Sequence, residues 1–368
     1  MNTLKKKIFW LTPDYFADVD AAVVPSLMKQ YEIEWMIISP LNSQRKADGI
    51  IKDSDVRPMQ FNLKRKQRDP RVIIQYIELL RQIRSSNPDL VYLSFSGLPY
   101  FFLFLFLYIK PGKIIYALHN VTTPEGAMNE LVTRIFQKAY YKQLKRFHVF
   151  SEFQLQQIKK MLPDKKHYYA PLALKDYGKS NAVPPDNIIR FLFFGYILKY
   201  KRVDLLINAF QEVYDKGYRN IELVIAGSCD HWDTYKALIR NADAIRTRIE
   251  IIPNEDIPDL VSSCHYVVLP YQDGTQSGVI PVAYQYNKPV VATDIEAFRK
   301  FIIGGKTGYV FKKNSAASLS STLEYAIRNH ESNYPSLTEN VLQFKSDEYS
   351  LTRILGMYHS ILDECLNK

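Results

Sequence analysis

Short apolar runs alternate along this chain with longer stretches whose apolar positions recur at helical spacing. The runs Lys7 to Leu11, Glu34 to Ser39, Leu90 to Phe95, Lys113 to Leu118 and Phe147 to Phe150 read as strands. Ser151 follows the last of them with Gln154 three residues on, a capping box that opens a helix to Met161. A second series begins at residue 190, with Arg190 to Phe194, Glu222 to Ala226, Arg248 to Ile252, His265 to Leu269 and Pro289 to Ala292 as strands, each followed by a turn and a helix. From Leu319 onward the chain reads as helices with a Ser-Pro-rich break. Strand and helix in alternation is the pattern of a parallel sheet covered on both faces. Two such series predict an α/β protein of two doubly wound, Rossmann-like domains facing across a cleft, with ligands beyond the carboxyl ends of the strands.

The boundaries follow from composition. Residues 171–190 hold three prolines and little periodicity, so they read as a linker between a domain at 1–170 and a second at 191–345. Residues 346–368 are expected to form a terminal helix that packs back on the first domain. A length of 368 residues suits two cores better than one, and 47% apolar with 23% charged residues excludes a disordered chain.

Charge divides the chain in the same place. Residues 1–170 carry 26 basic and 15 acidic side chains, a net +11, whereas residues 171–368 carry 22 and 23, a net −1. The first half therefore suits an anionic partner, nucleic acid or an anionic membrane surface, and equally reads as a solvated basic face. Its densest clusters are Lys64, Arg65, Lys66 and Arg68, then Arg134, Lys138, Lys142, Lys145 and Arg146. The apolar run at 99–112, PYFFLFLFLYIKPG, falls far short of the ~20 residues of a spanning helix. It reads as a buried core helix, with a dip into a bilayer interface as the alternative. The basic opening of the chain resembles a signal peptide, but its apolar run stops at Pro13 and Asp14, so a first buried strand is expected. Cys229, Cys264 and Cys365 are far apart, which fits a reducing compartment and excludes a cysteine-based zinc site.

Two loops carry candidate chemistry. In FLFFGYILKYKRVDLLINAF, residues 191–210, Val203, Leu206, Ile207, Phe210 and Val213 follow helical spacing, so a helix starts near Arg202. Lys199, Lys201 and Arg202 then gather at its N-terminus, where cations are unfavourable unless an anion sits in front of them. The alternative is a solvated lysine-rich turn. In DGTQSGVIPVAYQYNKPVVAT, residues 273–293, a small polar loop precedes a helix with Pro281 in its first turn. The backbone N–H groups of Ser277, Gly278 and Val279 are expected to point out of the sheet edge, as a phosphate cradle or as an ordinary strand-to-helix turn.

Together these stretches, with LVIAGSC, IIPNEDIPDLVSSCHYVVLPY and GGKTGYVF, resemble the C-terminal domain of glycosyltransferase family 4, of GT-B fold, across residues 190–311. Before them only YALHNVTTP, VFSEFQ and YYAPL are similar to family positions. The resemblance implies a cytoplasmic, membrane-peripheral enzyme moving a sugar from a UDP- or GDP-linked donor to a lipid-linked or surface-polysaccharide acceptor, with retention, no metal and no cofactor. Donor would lie on the second domain and acceptor on the first, with nucleic acid not expected. By position Lys201 resembles the lysine that grips the donor diphosphate, stabilising charge that grows on the leaving group. Gly195 and Tyr196 resemble the start of that loop; Thr275, Gln276, Ser277, Gly278 and Val279 the diphosphate cradle; Ile252, Pro253 and Glu255 the segment bordering the nucleobase. His119 resembles the acceptor-side histidine.

Departures from the family pattern are as informative. Tyr196 stands where an arginine is common, which leaves Lys199 or Arg202 to supply the charge. Thr275 and Val282 or Ala283 stand where many members have two glutamates eight apart. An inverting reaction would instead need a carboxylate base, for which Asp14, Asp18 and Asp20 after the first strand are the candidates. An epimerase of the same architecture and a non-catalytic nucleotide-sugar or nucleic-acid binder are the competing classes. A dehydrogenase is disfavoured because no strand leads into Gly-x-Gly-x-x-Gly.

Overall fold

The computed structural model describes residues 5–43, 56–67, 69–97, 99–122, 130–274 and 277–367, which divide into two compact units. Unit 1 comprises residues 1–173 and 351–368, and unit 2 residues 174–350. The expected linker therefore splits, with most of it running along unit 2.

Unit 1 is built on seven parallel strands: β1 Lys7–Pro13, β2 Glu32–Ser39, β3 Met59–Asn62, β4 Leu90–Leu93, β5 Ile114–Leu118, β6 Arg146–Val149 and β7 Lys166–Tyr169, in the order β3-β2-β1-β4-β5-β6-β7. Unit 2 repeats the plan with β8 Ile189–Phe194, β9 Ile221–Ala226, β10 Ile245–Arg248, β11 Tyr266–Leu269, β12 Val290–Thr293 and β13 Gly308–Phe311, in the order β10-β9-β8-β11-β12-β13. Both are doubly wound Rossmann-like folds. The central strands are buried along almost their whole length, β4, β5, β11 and β12 completely, which is why they read as continuous apolar runs. Strand order reverses between β1 and β4 in unit 1 and between β8 and β11 in unit 2. The loops leaving those strands line the switch-point crevices where such sheets bind ligands.

The sequence expectation misplaced one strand and missed three. β10 ends at Arg248, where the expected strand began, while β3, β7 and β13 were not foreseen. The Ser-Pro break at 332–337 is absent, because the helix His330–Tyr349 runs through Pro335. Pro335 is exposed near the helix start, so water can serve the carbonyl left without an N–H.

The chain ends in the helix Leu351–Leu366, which buries Ile354, Tyr358, Ile361, Leu362 and Cys365 in unit 1. Tyr358 meets His148 edge-on at 5.3 Å, Tyr31 donates to Asp363 at 2.6 Å, and Lys166 pairs with Glu364 at 2.7 Å. Each fully buried aliphatic side chain contributes about 1.5–3 kcal/mol, so apolar burial outweighs the exposed ion pair in holding this helix. The helix Tyr100–Tyr108 is only partly a core element: Phe101 and Leu105 are buried, but Leu103 and Leu107 face solvent.

Candidate active site

In unit 2 the loop after β8 approaches the loop after β9 backbone to backbone. Gly195 has φ +111° and donates to the Ala226 carbonyl at 2.9 Å, and Ile197 donates to Ser228 at 2.8 Å. Gly227, at φ +148°, lies so close that a side chain there would strike the Gly195 carbonyl, so both positions need glycine. Beyond them Lys199–Lys201 makes one 3-10 turn, Arg202 takes a left-handed conformation at φ 50°, and the helix Val203–Asp215 begins, as the spacing predicts.

The loop after β11 is fastened to this one. Gln272 donates its backbone N–H to the Tyr200 carbonyl at 2.7 Å, and the Tyr200 and Tyr271 rings meet edge-on at 5.9 Å. Lys201 is drawn into the corner between the loops: it is only 9% exposed, with its Nζ 5.5 Å from the Tyr271 ring centre. A methyl group on Gly195 would lie 3.6 Å from both Lys201 Nζ and the Val279 side chain, so lysine, glycine and the start of the helix Val279–Gln285 share one small space. Among the described residues no carboxylate pairs with this ammonium. Burial alone pushes it down to about 8. A desolvated cation with no counter-charge is costly, and a bound anion would remove that cost.

The expected second cations are arranged otherwise. Arg202 turns back on Asp204, with Nη2 to Oδ2 at 2.9 Å, and donates Nη1 to Asn314 at 2.8 Å, so its charge is already spent. Lys199 is exposed at the loop surface. Lys175, from the linker, instead brings Nζ to 3.6 Å from the position a Gly278 side chain would take. Sequence reasoning missed it because about a hundred residues separate it from the loop it approaches and its surroundings, LALKDYG, carry no motif.

Other positions sharpen or correct the expectation. Ser277 is buried and its hydroxyl accepts the Val279 N–H at 3.2 Å. Val279 is thus no open donor, contrary to expectation, because the serine side chain takes its hydrogen. Thr275 and Gln276 lie outside the described residues. Tyr196 is exposed and donates to Asp230 at 2.5 Å, which raises it to about 12 and keeps it a neutral donor. Ile252 is buried, while Pro253 and Glu255 are exposed at the turn Asn254–Asp256 that opens the helix Ile257–Ser262.

In unit 1, His119 leaves the end of β5 and bonds Ser94, after β4, through Nε2: 2.8 Å to the hydroxyl and 3.0 Å to the carbonyl. The carbonyl contact places the hydrogen on Nε2. Burial pushes His119 down to about 4, so it is neutral at pH 7. Phe16 packs edge-on against the ring at 4.1 Å. Gln154 fixes the strand end by accepting the Phe150 N–H and donating to the His119 carbonyl, both at 2.9 Å.

Of the three aspartates after β1, Asp20 is fully buried and accepts from Trp10 at 2.9 Å and Thr12 at 2.5 Å. It cannot reach an acceptor hydroxyl, so it is withdrawn as a candidate base. Asp14 is buried and accepts from Ser43; Asp18 is half-buried. Among the described residues no group of three or more His, Cys, Asp or Glu is placed to hold a metal ion.

Residues 189–329 match the family Glycosyl transferases group 1. The match spans β8 to the helix after β13, and so holds every loop that surrounds Lys201. An alpha-D-kanosaminyltransferase of Streptomyces kanamyceticus is 28% identical over 177 residues, which is 46% of this chain and 45% of that relative. Over 98% of its length the chain shares its fold, at a TM-score of 0.74 and 14% identity, with all of Anabaena HepE in complex with UDP and glucose. A putative UDP-N-acetylglucosamine 2-epimerase of Listeria monocytogenes has the same fold at a TM-score of 0.68 and 14% identity, covering 99% of this chain and 98% of that one. The two units thus have the two-domain Rossmann-like fold of GT-B enzymes, and residues 189–329 of the second are similar to group 1 glycosyl transferases.

Proposed function

We propose that this chain is a retaining, metal-independent glycosyltransferase that moves a sugar from a UDP- or GDP-linked donor to a lipid-linked or surface-polysaccharide acceptor. The observation that carries the reading is Lys201, a desolvated ammonium with no carboxylate partner among the described residues, held between Gly195, Tyr271 and Val279. Cleavage of the bond from the anomeric carbon to the diphosphate oxygen leaves negative charge on the departing nucleotide. A fixed cation there favours the transition state over the ground state, without reorganising as the bond breaks. Lys175, at the other side of Gly278, supplies the second charge. The acceptor falls to unit 1, where His119, neutral and fixed on Ser94, stands at the carboxyl end of β5. Retention is favoured over inversion by the burial of Asp20 and by the contact of Asp14 with Ser43.

Thermal-shift titration with UDP-, GDP- and ADP-sugars tests the donor site, since a ligand at a hundred times its Kd stabilises by about 2.7 kcal/mol. One nucleotide class is expected to raise the melting temperature of the wild type and not of Lys201→Ala. Equal shifts in the two proteins would remove Lys201 from the site. A second reading, epimerisation of the donor, is favoured by Val282 and Ala283 where many family members have a glutamate. Incubation of the donor alone separates the two, because only an epimerase returns an altered sugar without an acceptor.

A further inference from the structure

The helix Tyr100–Tyr108, sequence YFFLFLFLY, has no charged residue and is apolar on every side, yet only its inner face is covered. Phe101 meets Tyr76 edge-on at 5.5 Å, and Phe102 meets Tyr140 at 4.6 Å and Phe136 at 6.0 Å. It therefore lies between the helices Val72–Ser85 and Glu130–Gln143 on one side of the unit 1 sheet. Its outer face shows Leu103 at 55% and Leu107 at 70% exposure, and the two helices beside it each expose an isoleucine, Ile74 at 73% and Ile135 at 56%. A helix apolar all round is normally enclosed; this one leaves Leu103 and Leu107 in the open.

The two helices beside Tyr100–Tyr108 expose basic side chains. Arg134, Lys138 and Lys142 recur every four residues on one exposed stripe, and Arg81 and Arg84 are exposed on the helix opposite. Glu78 is the only carboxylate in Val72–Ser85, and residues 100–113 contain none. We propose that this face is a membrane-interface surface, whose occupant is a bilayer rich in anionic phospholipid. Leu103 and Leu107 enter the acyl boundary while the five cations meet headgroup phosphates. A second copy of the chain is the poorer occupant, because a twofold contact would set basic stripe against basic stripe. Nine residues are too few to span, and among the described residues no helix is long and apolar enough to cross a membrane. This surface extends the lipid-linked-acceptor reading and rests on it for its biological use, but it is testable without any transfer.

Co-sedimentation of the full chain with vesicles of phosphatidylcholine, with and without phosphatidylglycerol, is the experiment. Binding is expected only with phosphatidylglycerol and is expected to weaken with salt, each cation near the surface contributing about fivefold. Leu103→Glu with Leu107→Glu should lower the partition coefficient by at least about tenfold, with the melting temperature and the nucleotide-sugar thermal shift unchanged. Lys138→Glu with Lys142→Glu should lower it on anionic vesicles and leave the donor shift intact. Undiminished binding of the leucine double variant, failure of the wild type to bind anionic vesicles at low salt, or a dimer dispersed by the leucine substitutions would each overturn the proposal. A lost donor shift in wild type, with vesicle binding intact, would instead break the transferase reading alone.

Discussion

The loop after the first strand of each unit occupies the same place in the same topology and solves its electrostatics in opposite ways. After β1, the loop carries carboxylates, and the protein supplies hydrogen-bond donors to two of them: Trp10 and Thr12 to Asp20, and Ser43 to Asp14. After β8, the loop buries a cation and supplies no carboxylate to it. Burying a polar group is tolerated when the fold itself satisfies it, and otherwise marks a place where something else must. The doubly wound frame gives both loops an opening at the strand ends, but among the described residues only the second loop buries an ammonium with no carboxylate beside it. That asymmetry, rather than the shared fold, is what supports the proposal of a donor site in unit 2.

Removing the unpaired cation is the most direct way to break the comparison. Lys201→Ala should lower kcat/KM by roughly a hundredfold to a thousandfold while the protein stays folded, as loss of one preorganised charge does elsewhere. The same residue sets a pH limb. Its folded value is depressed to about 8 from an ordinary 10.5, so donor affinity and kcat/KM should fall as pH rises through about 8 and the free enzyme loses the charge. The linkage has the matching sign: between those two values the unfolded chain holds the extra proton, so this group makes the fold more stable as pH rises. Lys201→Arg, if active, should abolish that limb, because guanidinium stays charged. A wild-type profile flat from pH 7 to 9.5 would sink the assignment.

The next largest effect concerns which cation stands in for the arginine that Tyr196 replaces. A charge-assisted hydrogen bond contributes about 1.5–3 kcal/mol, so Lys175→Ala should cost roughly tenfold or more in kcat/KM. Arg202→Ala should leave kcat/KM unchanged and lower the melting temperature, since its partners are Asp204 and Asn314. Lys199→Ala, at an exposed position, should change neither. The reverse ranking would restore the arrangement that chain order alone predicts.

What could be read from the sequence follows burial. Every central strand was placed within two residues of its bounds, whereas all four failures, β3, β7, β10 and β13, are the edges of the two sheets. An edge strand covers less apolar surface and carries polar residues on its open side; β10 is Ile-Arg-Thr-Arg, with only Ile245 buried. The pattern therefore slid to Ile251 and Ile252, which lie in the following loop. At the site, Lys201 and the glycine loop were legible because each lies just after an apolar run. Lys175 and Asp230 were not, because their contacts join distant parts of the chain and leave no local spacing. The same limit misassigned Val279 and Asp20: a side chain taking up a backbone N–H, or a tryptophan taking up a carboxylate, is a tertiary event.

Asp20 gives the smallest and most discriminating test, because the comparison requires its carboxylate to be structural. Desolvation raises it to about 7, against which the hydrogen bonds from Thr12 and Trp10 pull only part of the way. A carboxyl whose folded value lies above its ordinary 3.8 binds more protons folded than unfolded between those values, so this group makes the fold less stable as pH rises from about 4 to about 7. Asp20→Asn keeps an oxygen for the indole and hydroxyl donors and never ionises. Its melting temperature should exceed that of the wild type at pH 8 and match it near pH 4, with kcat/KM unchanged at both. A large loss of turnover with the fold intact would return Asp20 to the reaction, and with it an inverting mechanism.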